Sequence, residues 1–169
     1  EEDVLDLAVI ITNDVKSPDV HIKHICDTEF HFCAGKNHKL RGRESVSFLD
    51  IRDESLILFK NGYFQNKFVR KRFAEIHSEP NVILCSNQVV TMKNLMKEGI
   101  VCAFLIKEVV EDEDDIISIP LDPPVPIQIG IGVRGSRFDL IQFPACCVRQ
   151  CICQSFRCAA GRKISNQCF

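Results

Sequence analysis

The sequence contains no apolar run of the roughly 18 residues needed to cross a bilayer, and its opening Glu1, Glu2, Asp3 is acidic where a secretory leader would be basic. On these two absences the chain is expected to be soluble and cytoplasmic. Gly-x-Ser-x-Gly and His-Glu-x-x-His are also missing, as is a Ser-x-x-Lys in a suitable context. No catalytic constellation can be assigned, so the chain reads as a non-enzyme with no cofactor and no bound metal. A net charge of −2 gives no overall pull toward nucleic acid or an anionic membrane. What is present is 46% hydrophobic residues in a chain of 169, enough to bury a core of one domain or two small lobes.

The ten cysteines do not form a disulfide framework by their distribution. Cys26, Cys33, Cys85 and Cys102 lie in apolar, strand-like surroundings, where cysteine acts as a small hydrophobe, and they are expected to be reduced core thiols. Cys146, Cys147, Cys151, Cys153, Cys158 and Cys168 crowd the end of the chain. That end, residues 141–169, has no Asp or Glu and no helical or strand period. It is read as a cysteine-rich tail, non-native or disordered, from another reading frame or foreign sequence. A metal-binding or oxidised knot is the rival, and the absence of any Cys-x-x-Cys pair there speaks against zinc.

Before the tail, short apolar runs alternate with helical patterns. Val4 to Ile11 is almost continuously apolar, as in a strand buried in a parallel sheet. Val20 to Cys33 reads as extended and leads into a polar loop, Gly35 to Glu44. Ser55 to Phe59 is a buried strand, and Phe64, Phe68, Phe73 and Ile76 recur near helical spacing within Tyr63 to Ile76. Asn81 to Cys85 repeats the strand. Ser86 or Asn87 is placed to cap a helix whose face is Val89, Met92, Leu95 and Met96 and which stops at Gly99. Ile100 to Ile106, Ile116 to Ile119 and Ile127 to Val133 read as further strands, and Leu121 to Pro126 as a stiff proline-rich connector. This alternation predicts right-handed crossovers and an open α/β sheet that binds ligands beyond the carboxyl ends of its strands.

Several motifs have a plainer reading than the one they advertise. Gly130-Ile131-Gly132-Val133-Arg134-Gly135 matches the dinucleotide fingerprint by letter, but Pro144 breaks the helix that such a turn must open and Asp139 is the last acid, so it reads as a glycine-bearing strand. His21, His24, Cys26, His31 and Cys33 are metal-capable, yet lack a carboxylate-rich or Cys-x-x-Cys partner and read as a strand with surface histidines. The basic segments 36–43 and 70–72 lack interleaved aromatics and read as a solvated loop and an exposed helix face. The acidic run 111–115 lacks the ligand alternation of a calcium loop and reads as solvated.

The order of these segments resembles the effector-binding domain of LysR-type transcriptional regulators. Leu5-Asp6-Leu7-Ala8-Val9-Ile10 is similar to the family's "LDLAI" strand, and Phe30 to Leu40 to the crossover strand ending in "HPL". Val46 to Ile51 resembles "VSLADL", and Leu56 to Phe59 the "LI" strand after it. Pro80-Asn81-Val82 with the helix ending Met96-Lys97-Glu98-Gly99-Ile100 resembles the "V..GLG" segment. Ala103-Phe104-Leu105 stands for "IALLP", and Ile119-Pro120-Leu121 for "IPL".

The resemblance implies an α/β fold like type 2 periplasmic binding proteins: two Rossmann-like lobes joined by crossover strands, the first lobe incomplete. Residues 1–27 would belong to the first lobe, 28–124 would form the second, and 125–140 would return to the first. It implies an effector-sensing regulatory domain that binds a small, anionic metabolite in the interlobe cleft and so controls DNA binding and transcription. The alternatives are an extracytoplasmic solute-binding receptor or an enzyme of the same fold. DNA contact would come only through a helix-turn-helix domain absent here, and the full-length protein would be a homodimer or tetramer with no membrane contact.

On the family's pattern the effector site falls on Ile11, Thr12, Phe59, Lys60, Asn61, Ser86, Asn87, Phe104 and Leu105. Physically, Asn61-Gly62 and Ser86-Asn87 are expected to begin helices, whose free N–H groups and positive dipole ends suit a carboxylate or phosphate, and Lys60 adds a charge. The plainer alternative, that Ser86 and Asn87 only cap their helix and Lys60 is solvated, remains open at this point. Val101 stands where the family has glycine, Ile106 where it has proline, and the cysteine tail where it has a terminal helix. With the first strand and helix of the first lobe absent, weak effector binding and poor dimerisation are expected.

Overall fold

The middle of the chain alternates strand and helix, and each helical crossover returns the chain in the same direction. Strand β3 (Leu56–Leu58), helix α1 (Phe64–Glu75), strand β4 (Val82–Cys85), helix α2 (Val89–Lys97) and strand β5 (Cys102–Ile106) succeed one another. β3 pairs in parallel with both β4 and β5. The structure is a computed structural model and describes residues 7–13 and 20–134. The tail, the initial residues of the "LDLAI" segment and Gly135 lie outside the described residues.

The remaining strands form antiparallel pairs. β2 (Val20–Gly35) pairs antiparallel with β5, from Phe30 opposite Ile106 to Cys33 opposite Ala103. β6 (Ile116–Pro120) pairs antiparallel with β2, from His31 opposite Pro120 to Gly35 opposite Ile116. β7 (Pro126–Arg134) pairs antiparallel with β1 (Leu7–Ile11), from Leu7 opposite Val133 to Ile11 opposite Ile129. The expected parallel setting of the first strand is therefore corrected: the sheet is mixed. β1 takes its partner, β7, from the far end of the chain, so no strand–helix–strand crossover sets its direction.

The described residues divide into two compact units, one made of residues 7–13, 20–28 and 127–134 and the other of residues 29–126. In the second unit, the core is dominated by aromatics that the sequence scatters over distant segments. Phe30, Phe32, Phe73 and Phe104 are fully buried. Phe48, from the segment between β2 and β3, stacks on Phe104 at 5.5 Å and meets the edge of Phe73 at 5.6 Å. α2 lies close on β2, since a Cβ at Gly35 would collide with the Met96 carbonyl oxygen. α2 ends as its sequence implies, with Gly99 at φ +70° and the Ile100 N–H donating to Leu95 O at 3.0 Å.

The Leu121 to Pro126 segment is tied down rather than loose. Val46 bridges Leu121, and the Asp122 N–H donates to Val46 O at 2.9 Å. In the first unit, Gly130 and Gly132 lie on β7, opposite Ile10 and Ala8. A side chain at Gly130 would press on Thr12 Cγ2, Ile22 Cγ2 and the Lys23 carbonyl. That glycine serves close packing between strands, and no helix comes after it within the described residues.

Candidate functional site

The carboxyl ends of β3 and β4 lie side by side because those strands are parallel neighbours. The loops that leave them are joined by side chains. The Lys60 N–H donates to Asn87 Oδ1 at 3.0 Å, and the Ser86 N–H donates to Leu58 O at 2.9 Å. Ser86 Oγ accepts from the Gln88 N–H at 3.1 Å. Lys60 and Asn61 are exposed, while Ser86 and Asn87 are half-buried.

The helices start later than the sequence suggested. α1 has Tyr63 and α2 has Gln88 at the N-cap position, and neither residue makes a side-chain capping bond. Asn87 is therefore not a cap: its amide oxygen is spent on the Lys60 N–H, which fastens one strand end to the other. Neither helix has an acidic residue in its first turn. Two positive helix ends thus adjoin linked strand ends with no carboxylate of their own to neutralise them. Gly62, at φ +98°, supplies the left-handed turn before α1.

Phe59, Phe104 and Leu105 occupy different ground. All three side chains are buried and belong to the core beneath the strand ends. What holds those ends in place is a pair of buried amides that the sequence pattern did not reveal. Gln65 accepts from the Phe59 N–H at 3.0 Å and donates from Nε2 to Phe104 O at 3.0 Å, so it clips β3 to β5. Asn66 Nδ2 donates to Phe59 O at 2.6 Å, and its oxygen accepts from Arg70 Nε at 2.9 Å. In the first unit, Ile11 ends β1 opposite Ile129. The Thr12 N–H and hydroxyl both donate to Gln128 O, at 2.8 and 3.2 Å.

Charges are more firmly placed than composition implied. The acidic run does not simply face solvent: Glu113 receives Lys97 Nζ at 2.6 Å and Lys93 Nζ at 3.0 Å, two lysines one turn apart on α2. Asp115 pairs with Lys36, and within the same basic loop Lys39 pairs with Glu54 and Arg43 with Asp50. Arg72 lies over the rings of Phe48 and Phe68, at 5.9 and 5.7 Å, so the 70–72 segment is not merely an exposed basic face.

Hydrogen bonds from Lys97, and then Lys93, hold the Glu113 carboxyl below its usual range, and Lys36 does the same for Asp115. A carboxyl held down in the folded state contributes stability at neutral pH that is lost as pH falls through its folded value. Urea unfolding is therefore expected to show a fall in stability below roughly pH 4.5, and Glu113→Gln is expected to flatten that fall. An unchanged acid profile in Glu113→Gln would mean that Glu113 carries none of it.

The metal-capable strand residues do not gather. His24 faces Asp27 at 3.1 Å, and His31 lies between Ser118 Oγ at 2.8 Å and Glu29 at 3.0 Å. Cys33 is buried, and burial pushes its thiol up to about 12. Cys102 is also buried, whereas Cys26 and Cys85 are only half-buried, and none of the four is in a disulfide. The group that does converge is one that no sequence spacing connects: His38, Glu54 and Cys102.

A profile of the LysR substrate-binding domain matches residues 1–140. The chain belongs to the LysR substrate-binding domain family. Solved structures agree at the level of fold. The regulatory domain of CcmR from Synechocystis, in complex with 2-PG, is 14% identical with a TM-score of 0.67, over 90% of this chain and 74% of that one. The effector-binding domain of QuiR, in complex with shikimate, is 19% identical with a TM-score of 0.65, over 87% and 69%. HinK from Pseudomonas aeruginosa, a LysR family regulator, is 18% identical with a TM-score of 0.63, over 89% of this chain and 54% of that one. The chain thus spans about half the length of HinK. No curated protein matches it significantly.

As a LysR regulatory domain, the chain carries the mixed α/β sheet of those structures. Among its described residues no helix is long and apolar enough to cross a membrane. Where the LysR pattern has glycine and proline, Val101 and Ile106 are both buried and extend the apolar register of β5 at either end.

Proposed function

We propose that this LysR domain senses a small anionic metabolite at the carboxyl ends of β3 and β4, and that occupancy is passed to DNA binding in the full-length regulator. The lobes in this reading are residues 1–27 with 125–140 and residues 28–124, and the effector is assigned to the strand ends of the second. Lys60, Asn61, Ser86 and Asn87 are its contacts there.

The observation that carries the reading is the Lys60–Asn87 link, which joins two strand ends in front of two uncapped helix N-termini that have no acid in their first turns. Such an arrangement favours a ligand bearing carboxylate or phosphate, with the Lys60 ammonium as its counter-charge. The 2-PG and shikimate found in the CcmR and QuiR complexes are ligands of that kind. A homo-oligomer through β4 fits the same reading, because β4 ends the strand order and Ile83, Leu84 and Val90 are exposed there.

The role proposed is binding and signalling rather than catalysis. Calorimetric titration with 2-PG, shikimate, inorganic phosphate and a panel of small carboxylates and phosphate esters tests it. At least one anion is expected to bind, and Lys60→Ala, which keeps the backbone N–H and its bond to Asn87, is expected to weaken it roughly tenfold, about 1.4 kcal/mol. An anion that binds wild type and Lys60→Ala equally would refute the assignment of the site.

A further inference from the structure

We propose that His38, Glu54 and Cys102 form a binding site for one divalent transition ion of zinc's coordination preferences, separate from the strand-end site. The three residues come from three segments of the second unit: the loop after β2, the segment just before β3, and the first residue of β5. Cys102 opens β5, so the cluster lies at the opposite end of that strand from Leu105 and the proposed effector site.

The distances suit a tetrahedral ion. His38 Nε2 lies 3.3 Å from Glu54 Oε2 and 3.6 Å from Cys102 Sγ, and all three ligand atoms fall within 4.8 Å of one another. Tetrahedral zinc, with bonds of about 2.0 Å to nitrogen, 2.1 Å to oxygen and 2.3 Å to sulfur, sets its ligands roughly 3.4 Å apart for nitrogen and oxygen and roughly 3.6 Å apart for nitrogen and sulfur. Two of the three edges therefore already match, and the Cys102–Glu54 edge lies within 4.8 Å.

The surroundings fit as well. The second carboxylate oxygen, Glu54 Oε1, lies 2.7 Å from the Lys39 ammonium, the outer partner that a monodentate carboxylate ligand requires. The Glu54 side chain is only 12% exposed and the Phe32 ring meets His38 edge-on at 5.6 Å, so the donors are partly shielded from water. A mixed imidazole, carboxylate and thiolate set selects zinc or cobalt over magnesium or calcium.

Protons and charges balance in the binding step. Without metal, His38 Nδ1 accepts from the Leu40 N–H at 3.3 Å, which leaves the imidazole proton on Nε2. On binding, Sγ and Nε2 each donate a lone pair to the ion. The thiol proton goes to solvent, and the imidazole keeps one proton, now on Nδ1, at the cost of the long contact with Leu40. The charges of a divalent cation, one thiolate and one carboxylate cancel. Three protein ligands leave the fourth position to water or to an external donor.

The six cysteines of residues 146–168 can also take up soft metals, so the test is a difference between proteins. The full chain is titrated with zinc, and separately with cobalt(II), as wild type, Cys102→Ser, His38→Gln, Glu54→Gln and, as a control, Cys26→Ser, each confirmed folded by circular dichroism. Cys102→Ser and His38→Gln are expected to bind one equivalent fewer than wild type and to lose part of the thiolate-to-cobalt charge-transfer band. Glu54→Gln is expected to bind roughly tenfold more weakly at that step, and Cys26→Ser to match wild type. Equal stoichiometry and equal cobalt spectra in wild type, His38→Gln and Cys102→Ser overturn the site. Should Cys102→Ser fail to fold, the comparison of His38→Gln with wild type decides alone.

Discussion

Phe104→Ala is expected to destabilise the second unit by about 3–5 kcal/mol, seen as a large drop in the urea midpoint with little change in slope. Phe104 has no exposed surface, stacks on Phe48 at 5.5 Å and meets Phe32 at 6.1 Å. Truncation removes the ring that joins β5 to the segment carrying Phe48, and Phe32 from β2 and Phe48 cannot both collapse into the void. The same residue stands in the stretch that the family resemblance assigned to the effector site. A loss below about 1 kcal/mol, a value typical of exposed positions, would show that its side chain lines a solvent-filled space instead.

Gln65→Leu is expected to cost about 2–4 kcal/mol although it makes the helix face more apolar, because it strands the Phe59 N–H and the Phe104 C=O without partners in the core. Gln65 has no exposed surface and spans the two strand ends with one bond to each. Removing it leaves the β3–β5 ladder in place but unties Phe59, next to Lys60, from Phe104. Anion binding is therefore expected to weaken in Gln65→Leu even at temperatures where the variant remains folded. Leucine is close to glutamine in volume, so cavity formation would not account for the loss. A variant as stable as wild type, with unchanged anion affinity, would mean that the Gln65 bonds are replaced by water and position nothing.

How much of the molecule is legible in the sequence depends on the kind of signal each feature leaves. The strand–helix units from Leu56 to Ile106 are legible because apolar runs and helical spacing are local, and α1 and α2 fall within a residue or two of the spans inferred for them. Gly99 marks the end of α2 for the same reason. The antiparallel pairings are not legible, since β2 with β5, β2 with β6 and β1 with β7 join segments far apart in the sequence, and local periodicity carries no record of the direction of a distant partner.

Gln65 and Asn66 leave no signal because a buried amide looks like a surface residue until its backbone partners, up to 39 positions away, are known. The pattern puts Phe64 and Phe68 on the buried face of α1; both are half-buried, while Gln65, Asn66, Val69 and Phe73 are fully buried. β4 shows the converse: Val82 to Cys85 is as apolar as a central strand, yet Ile83 and Leu84 are exposed on the last strand of the sheet. For Asn87 the sequence points to the right loop and the wrong partner, since its bond to Lys60 crosses between strands instead of closing a helix turn. His38, Glu54 and Cys102 leave no trace in spacing, because tertiary structure alone brings them together.

Hydrogen–deuterium exchange on the domain, with and without a saturating anion identified by titration, tests most directly whether the linked ends of β3 and β4 receive the effector. The expected result is slowed exchange in segments 59–66 and 86–92, where two helix first turns and the Lys60 loop would close on the ligand. Clear binding accompanied by protection only elsewhere, with both segments unchanged, would contradict it.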